Sequence, residues 1–309
     1  MSGRIRITEV SPRDGLQAES VVLDSATKAE LVRKVEATGV DEVEVSSFVS
    51  PKWIPQLGDA AEVFDLIAPT KRDGVCYSAL VPNMRGFEGA LAVNRDAREK
   101  HGVERLIDKV SVFTAASEGF SLKNTNATIE ETLERFAPII PEAHAQGLMV
   151  RGYISCVVKC PFDGEISAAQ VGDVASRLLE LGVDEIDLGD TIGAGTPDTI
   201  EQVLLEVIDR LDGRAHNDFG DPTLTLHLHD TYSNAAACIE RALEVGVRSF
   251  DSSAGGLGGC PYASTATTRA PGNVSSLTLI DAATEAGVQT AVDRGMMVEA
   301  SAFASGLIK

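Results

Sequence analysis

Positive charge is scarce in this sequence of 309 residues, which has 27 Lys and Arg against 46 Asp and Glu and a formal net charge of −19. Nucleic acids and anionic membrane surfaces both require a basic face on the proteins that bind them. We therefore expect neither nucleic acid nor a membrane as a partner. A small anionic ligand held in a local basic pocket is still compatible with this balance of charge.

The sequence also lacks a long apolar run and a targeting segment. No stretch approaches the 18 consecutive apolar residues that indicate a transmembrane helix. The first residues lead directly into a predicted strand, without the apolar core of a signal peptide. Five cysteines, an odd number in a chain of this length, do not suggest a disulfide framework. We therefore expect a cytoplasmic protein in a reducing environment.

A repeated pattern of a helix end, a glycine and a short β-branched segment is the first positive indication of the fold. It occurs at residues 36–45, 179–188 and 243–251. In each copy the glycine occupies the position that ends a helix. Repeats of this kind predict βα units and a parallel sheet.

About eight strand–helix units can be found along the chain. The predicted strands are 5–10, 42–47, 76–81, 109–115, 149–157, 185–190, 224–230 and 249–253. The clearest predicted helices are 26–38, 128–147, 167–181 and 231–246, and the residues predicted near helix starts are Asn126, Ser167 and Pro197.

This succession of units predicts an α/β fold, the (β/α)₈ TIM barrel. We expect a single domain over residues 1–309, with the barrel at about 4–290 and a helical C-terminal segment at about 291–309. An open, doubly wound sheet is the alternative. The G-x-G-x-x-G motif expected after the first strand of such a sheet is missing.

Two histidines on the seventh predicted strand form a candidate metal site. His227 and His229 are two residues apart, so both side chains point to the same face, while Leu226 and Leu228 point to the other. Two imidazoles side by side in a barrel mouth are costly unless they bind something, and imidazole is a common metal ligand. A hydrogen-bonded structural pair is the alternative.

Other chemically useful side chains follow predicted strands, at the end of the barrel where function is found. After the first strand, Asp14 offers an oxygen ligand and Arg13 a permanent cation, although a turn with a surface ion pair would also explain them. After the eighth, Cys260 follows a glycine-rich loop and is a candidate acid–base group or nucleophile. Further candidates, each equally well explained by a structural hydrogen bond, are Glu44, Asp190 and Asn273.

Five motifs resemble those of the hydroxymethylglutaryl-CoA lyase family. They are SPRDGLQ at 11–17, SSFVSPKWIPQ at 46–56, LGDTIG at 188–193, HLHDTY at 227–232 and GGCPY at 258–262. The resemblance extends from about residue 4 to residue 292. The related isopropylmalate and homocitrate synthases share only Arg-Asp-Gly and His-x-His, and usually have Glu where this chain has Leu16.

The resemblance implies a TIM-barrel enzyme with one divalent cation, Mg²⁺ or Mn²⁺. The implied metal ligands are Asp14, His227, His229 and Asn273. In the implied catalytic set, Arg13 stabilises an enolate oxygen and Cys260 exchanges a proton with the acetyl-CoA carbanion. Either Asp14 or His227 is the base. Glu44 and Asp190 line the site. The implied substrate-binding residues are Arg13, Arg151, Ser117 and Asn124.

The implied activity is that of a carbon–carbon lyase that cleaves 3-hydroxy-3-methylglutaryl-CoA to acetoacetate and acetyl-CoA, a step of leucine degradation and ketone-body formation. A homodimer or higher homo-oligomer is also implied. The alternatives are a lyase for a related 3-hydroxyacyl-CoA with a different branch, a condensing synthase, and a catalytically silent metal-binding scaffold. The segment between Cys260 and Asn273 is several residues longer than is usual in the family, which bears on the identity of the substrate.

Overall fold

Eight parallel strands close into a barrel in which each strand pairs with its neighbours in the sequence and the first pairs with the last. The structure is a computed structural model that describes residues 3–213, 216, 220–259 and 272–308. The strands are β1 (Arg6–Glu9), β2 (Glu42–Ser47), β3 (Cys76–Leu80), β4 (Lys109–Ala115), β5 (Met149–Ser155), β6 (Glu185–Asp190), β7 (Leu224–Leu228) and β8 (Ser249–Ser252). The predicted (β/α)₈ barrel is confirmed, and every predicted strand end lies within two residues of the observed one.

Helices surround this barrel and bury their apolar faces against it. They are α1 (Ser25–Ala37), α2 (Ala60–Ile67), α3 (Met84–His101), α4 (Glu118–Thr125), α5 (Ile129–Phe136), α6 (Ile139–Ala145), α7 (Ala168–Leu181), α8 (Pro197–Arg210), α9 (Ala235–Glu244), α10 (Ser276–Glu285) and α11 (Arg294–Gly306). A short hairpin pairs Lys159–Cys160 with Gly164–Glu165. Within the described residues, none of these helices combines the length and the apolar character needed to cross a membrane.

The single helix predicted over 128–147 is wrong, because the structure has two helices there, α5 and α6. Pro138 lies between them, and a proline has no N–H to continue the helical hydrogen-bond ladder. Asn126, predicted near the start of that helix, instead ends α4 in a left-handed conformation with φ of 52°. Ser167 caps α7 and Pro197 is the first residue of α8, as predicted.

The lower part of the barrel interior holds charged side chains where branched apolar residues are usual. Lys109 on β4 has no exposed surface, and its Nζ lies 2.7 Å from Glu42 of β2 and 2.6 Å from Glu185 of β6. Arg151 on β5 is also fully buried and contacts Glu185 at 2.9 Å and Glu42 at 3.3 Å. Burial lowers the pKa of Lys109, but the two carboxylates outweigh it and raise that pKa above its usual value. Four strands are therefore joined by charges that have no access to water.

Replacing Lys109 by Met should destabilise the fold strongly. The variant leaves Glu42 and Glu185 buried with one cation fewer, and removing one partner of a buried pair costs about 3–5 kcal/mol. Denaturant unfolding measures this loss. Lys100→Met is the matched control, because Lys100 forms its ion pairs on the exposed side of α3 and exposed pairs contribute about 0–1 kcal/mol. A Lys109→Met protein as stable as Lys100→Met would contradict the prediction.

Candidate active site

The chain leaves β1 in a single π-helical turn, Ser11–Gly15, in which Gly15 N–H donates to the Val10 carbonyl at 3.0 Å. The Glu9 carboxylate accepts a hydrogen bond from Ser11 N–H at 3.0 Å and so holds the start of this turn. Turns of this type are rare and often occur at functional sites. This one lies at the C-terminal end of the barrel and carries Arg13 and Asp14 to the wall of a cavity.

Asp14 meets the histidine pair at the mouth of the barrel. One ligand atom from each of Asp14, His227 and His229 lies within 4.8 Å of the others. The two imidazole Nε2 atoms are 3.4 Å apart. Asn273 donates from Nδ2 to Asp14 Oδ2 at 2.8 Å, and its buried Oδ1 has no hydrogen-bond partner among the described residues. Carboxylate, amide oxygen and imidazole form a donor set that suits a divalent cation.

The protonation states of Asp14 and His229 also suit a cation. Burial opposes ionisation of Asp14, but the charge of Arg13 and the neighbouring histidines lower its pKa to about 2. Burial and the charge of His227 lower the pKa of His229 to about 4. At neutral pH the carboxyl group is therefore ionised and the His229 ring is neutral. These are the forms in which both side chains bind metals.

Arg13 is held as a fixed cation beside the candidate metal ligands. Its Nε donates to Glu44 Oε2 at 2.5 Å and its NH1 donates to Asp14 Oδ1 at 2.8 Å. The guanidinium also lies 5.4 Å from the centre of the Tyr153 ring. A guanidinium has five N–H groups, so two carboxylates leave donors for a ligand. Arg13 is thus a rigid positive charge on the cavity wall.

These side chains line a cavity of about 400 Å³. Its charged groups and imidazoles are those of Arg13, Asp14, His227 and His229. The rest of the lining is mostly apolar or aromatic and includes Phe113, Phe120, Tyr153, Ile154 and Trp53. The Trp53 side chain is 71% exposed although it lines this cavity. An apolar cavity with a few convergent polar groups is the usual form of a small-molecule site.

Comparison with known proteins places the chain in a family. A family model described as HMGL-like matches residues 4–303. The chain belongs to the HMGL-like family. The mitochondrial hydroxymethylglutaryl-CoA lyase of Gallus gallus is 42% identical over 300 residues, covering 97% of this chain and 92% of that protein. A 3-hydroxy-3-isohexenylglutaryl-CoA/hydroxy-methylglutaryl-CoA lyase of Pseudomonas aeruginosa is 43% identical over 297 residues, covering 96% and 90%.

Solved structures of this family have the same fold. The HMG-CoA lyase of Brucella melitensis matches with a TM-score of 0.88 and 40% identity, over 99% of both chains. An HMG-CoA lyase of Acinetobacter baumannii, solved in complex with coenzyme A and 3-methylmalate, matches with a TM-score of 0.84 and 30% identity, over 98% of this chain and 92% of that one. The resemblance inferred from the five sequence motifs is therefore confirmed.

Two predicted site residues hold loops in the structure. The buried Asp190 carboxylate accepts hydrogen bonds from the backbone of Ala194 at 3.1 Å and Gly195 at 2.7 Å, and burial raises its pKa to about 6. Ser117 caps α4 and donates to Asp163 at 2.6 Å. Neither side chain is part of the lining of the cavity that Arg13 and Asp14 share. Their predicted contact with the reaction and the substrate stays a prediction.

Three other predictions have different outcomes. Asn124 lines the cavity, as a substrate-binding residue would. Arg151 is fully buried and absent from that lining, so its placement does not support the predicted contact with substrate. Cys260 lies outside the described residues. Gly259, which precedes it, lines the cavity.

A layer of polar residues that is not predicted from the sequence lies beneath the candidate metal ligands. Asp251 on β8 is 1% exposed, and its Oδ2 lies 2.9 Å from His227 Nδ1. The Tyr153 hydroxyl lies 3.2 Å from Glu44 Oε2 and 3.3 Å from Asp251 Oδ2. The sequence signal for this layer is the occurrence of polar residues at alternate positions of predicted strands, such as Arg151 and Tyr153 on β5. Such residues share one face of a strand.

Gly258 keeps Asn273 beside Asp14. Its φ is +102°, and a Cβ at this position would lie 2.4 Å from Asn273 Nδ2. Both the backbone conformation and the lack of space therefore require glycine. The position of one candidate ligand depends on a residue with no side chain.

Gly258→Ala should weaken binding of Mn²⁺ by about tenfold or more, because the methyl group displaces Asn273, and tenfold corresponds to about 1.4 kcal/mol. Titration with Mn²⁺ measures the affinity. Gly74→Ala is the matched control, since Gly74 has φ of +84° and nothing within 4 Å of its would-be Cβ. Both variants carry backbone strain of about 1–3 kcal/mol, but only Gly258→Ala should lose affinity. Equal affinities would show that Gly258 does not position Asn273.

Proposed function

We propose that this protein is a divalent-metal-dependent carbon–carbon lyase that cleaves 3-hydroxy-3-methylglutaryl-CoA to acetoacetate and acetyl-CoA. The observation that carries the proposal is the shared cavity wall of Arg13, Asp14, His227 and His229, in a chain about two-fifths identical to lyases named for this substrate. We propose a cytoplasmic location from the five cysteines, which do not suggest a disulfide framework, and a homo-oligomer as what the family resemblance implies.

The residues that would hold the cation are Asp14, His227, His229 and Asn273, whose donor atoms fit Mg²⁺ or Mn²⁺. A bound divalent cation would orient the tertiary hydroxyl and the distal carboxylate of the substrate and make that hydroxyl more acidic. The proposed acceptor of the hydroxyl proton is the Asp14 carboxylate, which lies in the same group. His227 is the alternative only if its Nε2 does not hold the cation, because a metal-bound ring protonated at Nδ1 has no free lone pair. Removal of this proton starts the cleavage.

Arg13 acts on the charge that develops next. When the hydroxyl oxygen becomes a carbonyl, the C2–C3 bond breaks and its electron pair moves into the thioester, which becomes an enolate. Negative charge collects on the thioester oxygen only as this bond breaks. A guanidinium that Glu44 and Asp14 already hold in place stabilises that charge without moving, so it lowers the barrier selectively.

The last step returns a proton to carbon. The enolate carbon takes a proton to become the methyl group of acetyl-CoA, and the thiol of Cys260 supplies it. The thiolate then recovers the proton that the base removed from the hydroxyl, so protons balance over one turnover. A thiol is suited to this exchange because its ordinary pKa of about 8.5 lies close to neutral pH.

Charge and aromatic groups near the cavity rim support an acyl-CoA as the substrate. Trp53 and Asn124 line the cavity, and their neighbours in the sequence are Lys52 and Lys123. Lys52 lines a second cavity, which shares Ser47 and Val49 with this one. These two exposed lysines have no carboxylate partner among the described residues, whereas every other described lysine has one. In a chain with a net charge of −19, two unpaired ammonium groups offer partners for the phosphates of coenzyme A.

A lyase for a related acyl-CoA with a different branch is the second candidate. The observation that favours it is the Pseudomonas aeruginosa relative, whose name includes an isohexenyl-branched substrate. The lengthened segment after Cys260 lies outside the described residues. Both candidates use the same metal ligands and the same Arg13, so they differ only in the acyl group accepted.

Purified protein with Mg²⁺ or Mn²⁺ should release acetyl-CoA from 3-hydroxy-3-methylglutaryl-CoA. A panel of 3-hydroxyglutaryl-CoA thioesters with hydrogen, methyl and isohexenyl branches separates the two candidates by their kcat/KM values. Chelation should abolish release, and added Mg²⁺ or Mn²⁺ should restore it. Full activity of metal-free protein would contradict the metal-dependent mechanism. If no thioester were cleaved, the remaining interpretation would be a catalytically silent metal-binding scaffold.

Arg13→Met should lower kcat by about 100-fold or more with little change in KM, because it removes a contact made mainly in the transition state, and such contacts contribute about 3 kcal/mol. Steady-state kinetics measures both constants. Lys123→Met is the comparison, since loss of a phosphate contact should raise KM and leave kcat unchanged. If Arg13→Met changed only KM, Arg13 would be a binding residue and not a transition-state stabiliser.

A further inference from the structure

Beneath the candidate metal ligands, a buried carboxylate determines which nitrogen of His227 carries the proton. An ionised carboxylate only accepts hydrogen bonds, so the 2.9 Å contact between Asp251 Oδ2 and His227 Nδ1 requires the proton on Nδ1. The lone pair of the neutral ring is then on Nε2. That atom lies 3.4 Å from His229 Nε2, on the side of the ring that faces the other candidate ligands.

Asp251 is itself held from below. Arg151 NH1 donates to Asp251 Oδ1 at 3.3 Å, and the Tyr153 hydroxyl lies 3.3 Å from Oδ2. Arg151 NH2 contacts Glu42 at 3.3 Å and Glu185 at 2.9 Å on the opposite side. The guanidinium therefore bridges the buried charges of the lower barrel and the carboxylate that contacts His227.

We propose that Arg151 and Asp251 are positioning residues, which present His227 Nε2 to the cation and do not touch the substrate. Arg151 is fully buried and lies outside the lining of the cavity. It therefore acts there through the side chains that it contacts, of which Asp251 also contacts His227. Carboxylates that orient a metal-binding imidazole commonly change metal affinity by about 10–100-fold when they are removed. The inference rests on the proposed function in one respect, that His227 is a metal ligand.

Asp251→Asn tests this arrangement with almost no change in shape. Arg151 is always charged and can only donate, so the amide oxygen of the variant must turn towards Arg151. The amide NH₂ group then faces His227 Nδ1 and requires it to accept a hydrogen bond. The proton of the neutral ring moves to Nε2, the nitrogen that the cation needs.

The first measurement is the tautomer of His227 in metal-free protein, from ¹⁵N-histidine NMR, with His227→Gln to assign the resonance. It is made at alkaline pH, where the ring is neutral, because Asp251 outweighs the effect of burial and raises the pKa of His227. We expect the Nδ1–H form in the wild type and the Nε2–H form in Asp251→Asn. The second is Mn²⁺ affinity, from the electron paramagnetic resonance signal of free Mn²⁺, which should fall about 10–100-fold. Asp41→Asn is the matched control, because the buried Asp41 carboxylate accepts a hydrogen bond from Ile7 N–H at 2.9 Å, just before β2 and away from Arg151 and His227, and it should change neither readout.

Arg151→Lys separates positioning from direct binding of substrate. The ammonium keeps a charge near Glu42 and Glu185 but is too short to reach Asp251 as the guanidinium does. A positioning role predicts weaker Mn²⁺ binding, whereas direct contact predicts a higher KM for the thioester with unchanged Mn²⁺ affinity. This variant also provides the test if Asp251→Asn does not fold.

An unchanged tautomer or an unchanged Mn²⁺ affinity in folded Asp251→Asn would overturn the inference. So would an Arg151→Lys protein that differs from the wild type only in KM. A wild-type protein that binds no divalent cation would instead contradict the proposed function. The NMR tautomer does not depend on bound metal, so the two failures can be told apart.

Discussion

Charges inside the barrel can be kept there only as a group, and the active-site end of the molecule is built on that requirement. Lys109 and Arg151 have no contact with water, and each lies between carboxylates from neighbouring strands. Removing any one member leaves another buried charge without its partner in an interior of low polarity. The group is therefore indivisible, and the strands that contribute to it have fixed positions relative to one another.

The cavity above takes its chemical properties from this group. Contacts run without interruption from Arg151 through Asp251 to His227, and from Tyr153 through Glu44 to Arg13. The first series of contacts ends at His227 and fixes which ring nitrogen carries the proton. The second ends at Arg13 and fixes the orientation of its guanidinium. Catalysis by electrostatic stabilisation needs groups that are already in place before charge develops. Here the strands of the barrel, more than its loops, hold those groups.

Features that depend on neighbouring residues could be predicted from the sequence, and features that depend on pairing between strands could not. Glycine stops and alternating residues are local, so the eight strands and the inward-facing His227 and His229 were predicted. The contact between Arg151 and Glu185 follows from a register in which the two residues are opposite each other on β5 and β6. The sequence does not show this register, and the predicted contact of Arg151 with substrate rests on the family resemblance alone.

Barrel closure gives the candidate metal site an unusual place in folding. Asp14 and Asn273, which share a hydrogen bond, are 259 residues apart, and β1 joins β8 only when the ring is complete. Pairing of distant segments is slow, because the entropy of closing the loop is lost before any contact forms. A partly folded chain therefore has the histidine pair but no fourth ligand. Binding of a cation would therefore show that the barrel has closed, and a bound cation would slow separation of β1 from β8.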